Sequence, residues 1–121
     1  MKYLPGACSS VVGGILNIAS ANYSNIGGGY VNKACGNYSN VAGGTFNISC
    51  GTSSHVGGGN LNHAIGTCST VVGGMSNKAC GAKSFVGGGN VNCAIQTNSF
   101  IGGGYNNRAC GNCSLVVGGS Y

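Results

Sequence analysis

Apolar and polar positions recur along this chain with a period of fifteen residues, and the phase never slips. Asparagine stands at Asn17, Asn32, Asn47, Asn62, Asn77, Asn92 and Asn107, and serine at Ser9, Ser24, Ser39, Ser54, Ser69, Ser84, Ser99 and Ser114. Two residues beyond each serine comes Val or Ile, from Val11 to Val116, followed by a glycine pair, from Gly13-Gly14 to Gly118-Gly119. With asparagine as position 2, the unit reads apolar-Asn-x-Ala-Cys/Ile-Gly-x-x-Ser-x-Val-x-Gly-Gly-x. A strict short repeat means that each copy buries its faces against its neighbours, as in a solenoid.

Frequent glycine and β-branched residues exclude helical repeats. The alternations x-Asn-x-Ala-x-Gly and x-Ser-x-Val-x-Gly instead predict two short strands per unit. The chain is therefore expected to be all-β, a parallel β-solenoid of about eight coils forming a single repeat domain over residues 1–121. Glycines at position 6 (Gly36, Gly51, Gly66, Gly81, Gly111) and the pairs at 13 and 14 are expected to supply positive-φ corners. Stacking at about 4.8 Å per coil sets like residues in columns. The Ala, Ser and Val/Ile columns are expected inside, with the Asn column beside them forming a hydrogen-bonded amide ladder.

Position 1 (Leu16, Val31, Phe46, Leu61, Val91) and position 5 (Cys35, Cys50, Ile65, Cys80, Ile95, Cys110) are apolar on the opposite strand face. Either they curl under a turn, or they form an exposed stripe where chains pack side by side. The second reading makes Leu16, Val31, Phe46, Leu61, Val91, Ile65 and Ile95 interchain residues. The weak return from small inward side chains also favours association, as a homo-oligomer or as a filament of coils stacked end to end.

Composition narrows the chemistry. With no Asp or Glu among 121 residues, acid-base carboxylate pairs and hard-cation cages are absent, which points away from an enzyme. His55 and His63 fall at variable positions and read as surface substitutions. The eight cysteines, with Cys110-Gly111-Asn112-Cys113 as an isolated C-x-x-C, give no paired metal motif, so neither metal nor cofactor is expected. Column 5 reads as small buried hydrophobes, with a Cys35–Cys50 disulfide sterically open because adjacent coils bring them within range. The net charge of +5 is spread thinly and falls short of the basic clusters of nucleic-acid binders. The N-terminal Met1-Lys2-Tyr3-Leu4-Pro5-Gly6-Ala7-Cys8 lacks a signal-peptide core, and no apolar run is long enough to span a membrane. Asn22, Asn37, Asn47 and Asn112 lie in Asn-x-Ser sequons.

Recognition is expected at the variable positions 8, 10 and 15, where Tyr23, Tyr30, Tyr38, Phe85, Phe100 and Tyr105 suit contact with glycan or protein. A threonine array for ice binding is interrupted, because Thr52, Thr67 and Thr97 share their column with Asn37 and Ala82.

The run Ala34-Cys35-Gly36-Asn37-Tyr38-Ser39-Asn40-Val41-Ala42-Gly43-Gly44 resembles the head repeats of trimeric autotransporter adhesins and similar repeats of phage and viral fibre proteins, and the likeness extends along the whole chain. The resemblance implies a left-handed β-roll, a trimer, and a place at a cell or virion surface in an extracellular adhesive fibre that binds host surfaces. The chain departs from that family in its longer repeat and its many cysteines.

Overall fold

The computed structural model describes residues 2–3 and 6–120. Met1, Leu4 and Pro5 of the N-terminal stretch read above lie outside the described residues, as does Tyr121. Parallel strands of two or three residues stack into a β-solenoid in two eight-stranded sheets. The first sheet is built on positions 3 and 4, as in Lys33–Ala34, Ile48–Ser49 and His63–Ala64; the second is built on positions 10 and 11, as in His55–Val56 and Thr70–Val71. Every pairing joins residues fifteen apart, such as Ile48 with His63 and Val56 with Val71. A third column of parallel bridges runs through position 15, from Ile15–Tyr30 to Tyr105–Ser120. The mixed residues of that column (Ile, Tyr, Thr, Asn, Met, Ser) hide it from a reading by β-propensity.

The core is a thin roll of small and β-branched side chains. Ile26, Val41, Val56, Val71, Val86 and Ile101 are fully buried, facing the fully buried Ala19, Ala34, Ala64, Ala79 and Ala94. The one departure from the alanine column explains itself: the Ser49 hydroxyl, buried, meets the Ser54 hydroxyl across the roll at 2.6 Å.

The corners differ from the sequence expectation. Of the glycine columns, position 14 takes a positive φ in every coil, from 84° at Gly14 to 111° at Gly119, whereas position 6 does not. The other left-handed corners are positions 1 and 8, held mostly by side-chain residues: Leu16, Val31, Phe46, Leu61 and Val91 in one column, Tyr23, Tyr38, Cys68 and Lys83 in the other. Left-handed backbone costs such residues about 1 kcal/mol or more each, and β-branched Val31 and Val91 fit it worst. Stacking holds them there. At these corners the peptide flips, so that the N–H points back to the preceding coil, as in Val31 to the Ile15 carbonyl (3.0 Å) and Tyr38 to the Asn22 carbonyl (3.0 Å). Elsewhere the ladder runs forward, as in Ile48 N–H to the Asn62 carbonyl (2.9 Å).

That flip accounts for the asparagine column. The N–H of position 2 also points backward, and the side chain of the preceding asparagine receives it: Asn77 N–H donates to Asn62 Oδ1 at 2.9 Å. Asn62 Nδ2 then donates to the carbonyls of Gly58 (2.8 Å) and Gly74 (2.9 Å). The same three bonds recur at Asn32, Asn47, Asn77 and Asn92. The ladder is thus amide to backbone rather than amide to amide, and it satisfies buried groups the turns would leave unpaired. It also fixes position 14 as glycine. A Cβ on Gly74 would meet the Gly89 carbonyl oxygen and sit 2.6 Å from Asn77 Nδ2, besides the penalty of φ +89°.

Candidate recognition surfaces

The outward columns carry every candidate recognition residue, since positions 2, 4, 9 and 11 fill the interior. Position 15, the third bridge column, and position 1, the corner beside it, together form a ridge along the rod in which apolar residues are interspersed with Thr45, Asn60, Ser76, Asn90 and Asn106. Ile15, Leu16, Tyr30, Phe46, Leu61, Met75, Val91 and Tyr105 are exposed on it, with Val31 half-buried. Tyr30 and Phe46 pack edge to face across adjacent coils, with ring centroids 5.6 Å apart.

The aromatic residues expected to act together are divided among three faces. Tyr23 and Tyr38 stack at the position 8 turn, 5.0 Å apart and nearly parallel. Phe85 and Phe100 stack on the second sheet, also 5.0 Å apart. Tyr30 and Tyr105 belong to the ridge, two partners the stacked pairs never meet. Next to the phenylalanines the same column is polar: Asn25 Nδ2 donates to Asn40 Oδ1 (2.9 Å), and Asn40 Nδ2 donates to His55 Nδ1 (2.8 Å).

Column 5 follows the strands of the first sheet, half-buried at Cys35, Cys50 and Cys80 and exposed at Cys110. Ile65 is exposed and Ile95 is half-buried. Cys35 and Cys50 form a disulfide with Cα atoms 4.5 Å apart, joining adjacent coils. Cys80 and Cys93 are free and half-buried. The Cys93 thiol is pushed above its ordinary range by burial and by the neighbouring Cys80 thiol, against the opposing pull of Arg108 and Lys78. Among the described residues no group of three or more His or Cys is placed to hold a metal. Of the sequon residues, Asn47 is wholly buried in the ladder, whereas Asn22, Asn37 and Asn112 are exposed.

Sequence reading missed the position 3 column. It runs along the first sheet between columns 1 and 5 as Ile18, Lys33, Ile48, His63, Lys78, Cys93 and Arg108. Three of the five cations, dispersed along the chain, therefore align on one face, a signal available by reducing their numbers by multiples of fifteen. Lys33, Lys78 and Arg108 are exposed. His63 is held below its ordinary pKa by burial and by Lys78 beside it. Between Lys78 and Arg108 lies an open pocket of about 240 Å³, lined also by Ser76, Val91, Asn92, Cys93 and Asn106.

No protein-family model and no curated protein matches the chain.

Proposed function

We propose that this β-solenoid repeat protein is a structural and adhesive module, the shaft or head of a fibre at an extracellular, cell or virion surface, assembled as a homotrimer along its ridge. The ridge of positions 15 and 1 carries this reading. Each coil from Ile15-Leu16 to Tyr105 gives it at least one exposed apolar side chain, interspersed with Thr45, Asn60, Ser76, Asn90 and Asn106, and an exposed apolar surface of that kind marks a protein interface. Positions 1 and 15 serve this better than column 5, because most of column 5, at Cys35, Cys50, Cys80 and Ile95, is half-buried and offers a partner less apolar surface. The resemblance to adhesin head repeats supports the trimer and the fibre, and the stacked aromatic pairs remain free for host glycan or protein.

Negative-stain electron microscopy of the purified chain tests the reading. Discrete short rods of uniform width support it. Micrometre filaments overturn the discrete module in favour of end-to-end polymerisation as the function, and featureless single-chain particles overturn association altogether.

A further inference from the structure

We propose that the position 3 column is a docking track for a linear sulfated polysaccharide. The inference goes beyond the fibre reading: the charged column lies beside the ridge, and because Ser76, Val91 and Asn106 of the ridge line its pocket, ligand and ridge assembly compete for that stretch.

The first ground is charge without compensation. Lys33, His63, Lys78 and Arg108 share one column, and the chain contains no carboxylate side chain to pair with any of them. Burial, and after it the Lys78 charge, resists protonation of His63. An anion seated beside Lys78 would relieve that repulsion.

The second ground is spacing. Strand register fixes the cations Lys33, Lys78 and Arg108 in line, at intervals of three and two coils, which is roughly 15 and 10 Å at the usual strand separation. A nucleic-acid strand carries a charge about every 3.4 Å, far denser than this track. A polysaccharide whose sulfates are separated by sugar rings matches it better.

The third ground is what lies between the charges. The pocket separating Lys78 from Arg108 is lined by the polar Ser76 and Asn106 and the apolar Val91. Sugar rings offer the same mixture of hydroxyls and apolar C–H faces, so a ring fits between two sulfates held by the flanking cations.

The test is calorimetric titration of the folded chain with a size-defined heparin oligosaccharide at low salt. Binding is expected, weakening steeply as salt rises. The double variant Lys78→Gln/Arg108→Gln should lose about tenfold in affinity, as expected for two exposed charge contacts. Lys83→Gln, whose lysine lies off the track at a turn, should change affinity less than about twofold. Circular dichroism checks that each variant folds; all three side chains are exposed. Saturation with the sulfated probe should raise the His63 titration midpoint, followed by proton NMR, and a desulfated probe of equal length should not. Absence of binding at low salt, equal loss in the Lys83 variant, or an unmoved His63 each overturns the track. An oligonucleotide binding as tightly as the sulfated probe overturns the choice of partner.

Discussion

Replacing Asn62 by alanine isolates the interaction that holds successive coils together. The side chain donates to the Gly58 and Gly74 carbonyls and accepts from Asn77 N–H, so alanine removes three hydrogen bonds. At about 1 kcal/mol net each they amount to about 3 kcal/mol, and the orphaned, buried Asn77 N–H adds about 1 more. A loss of about 4 kcal/mol is a large share of a typical domain's stability and corresponds to roughly 15 °C in midpoint. Urea unfolding followed by far-ultraviolet circular dichroism measures it, with the exposed Asn112→Ala as a control expected to lie within about 0.5 kcal/mol of wild type. Asn62→Asp should lose more than alanine at neutral pH, because it buries a charge against two carbonyl oxygens. The double variant Asn62→Ala/Asn77→Ala gives the sharper test. Asn62 Oδ1 accepts from the Asn77 N–H, so the two sites belong to one network and their losses should depart from a simple sum by more than about 0.5 kcal/mol. Strictly additive losses would mean that neighbouring coils open independently, and a loss under about 1 kcal/mol at Asn62 alone would refute the ladder as the clamp between coils.

Further outcomes follow from the corners, the histidine and the disulfide. Gly73→Ala, where an added Cβ meets open space, should leave the thermal midpoint unchanged or slightly raised, whereas Gly74→Ala should lower it by many degrees or prevent folding. Because the His63 pKa is lowered in the folded chain, the unfolded state takes up the proton first: stability should hold above about pH 6.5 and fall as pH drops below it, and His63→Gln should flatten that slope in thermal melts between pH 8 and 5. Reducing Cys35–Cys50 releases a loop of fifteen residues in the unfolded chain and should cost about 3 kcal/mol in denaturant titrations; Cys35→Ser/Cys50→Ser should make the protein indifferent to reductant.

What could be read from the sequence was whatever the period made redundant. The interior was legible because Ala, Ser and Val/Ile recur at 4, 9 and 11, where only small or β-branched side chains fit a thin roll. The Asn column was legible as a buried ladder but not in its bonding. Its partners depend on the left-handed corner at position 1, and Leu, Val and Phe there give no sign of it. Equivalence within the glycine pair was misleading for a related reason: position 14 needs its glycine for φ and for close approach to the next coil, while position 13 faces open space. On the surface, apolar column 1 was found from its composition. The aromatic residues could not be grouped until the turns had placed them, and the basic column went unseen because its members lie tens of residues apart in the chain.

Light scattering on the purified chain over a range of concentration and salt tests the ridge-assembled fibre module most directly. A mass near three chains is expected, held or strengthened by salt as repulsion between the cationic chains is screened. A mass of one chain at every concentration and salt would contradict assembly along the ridge and leave the solenoid as a solitary scaffold.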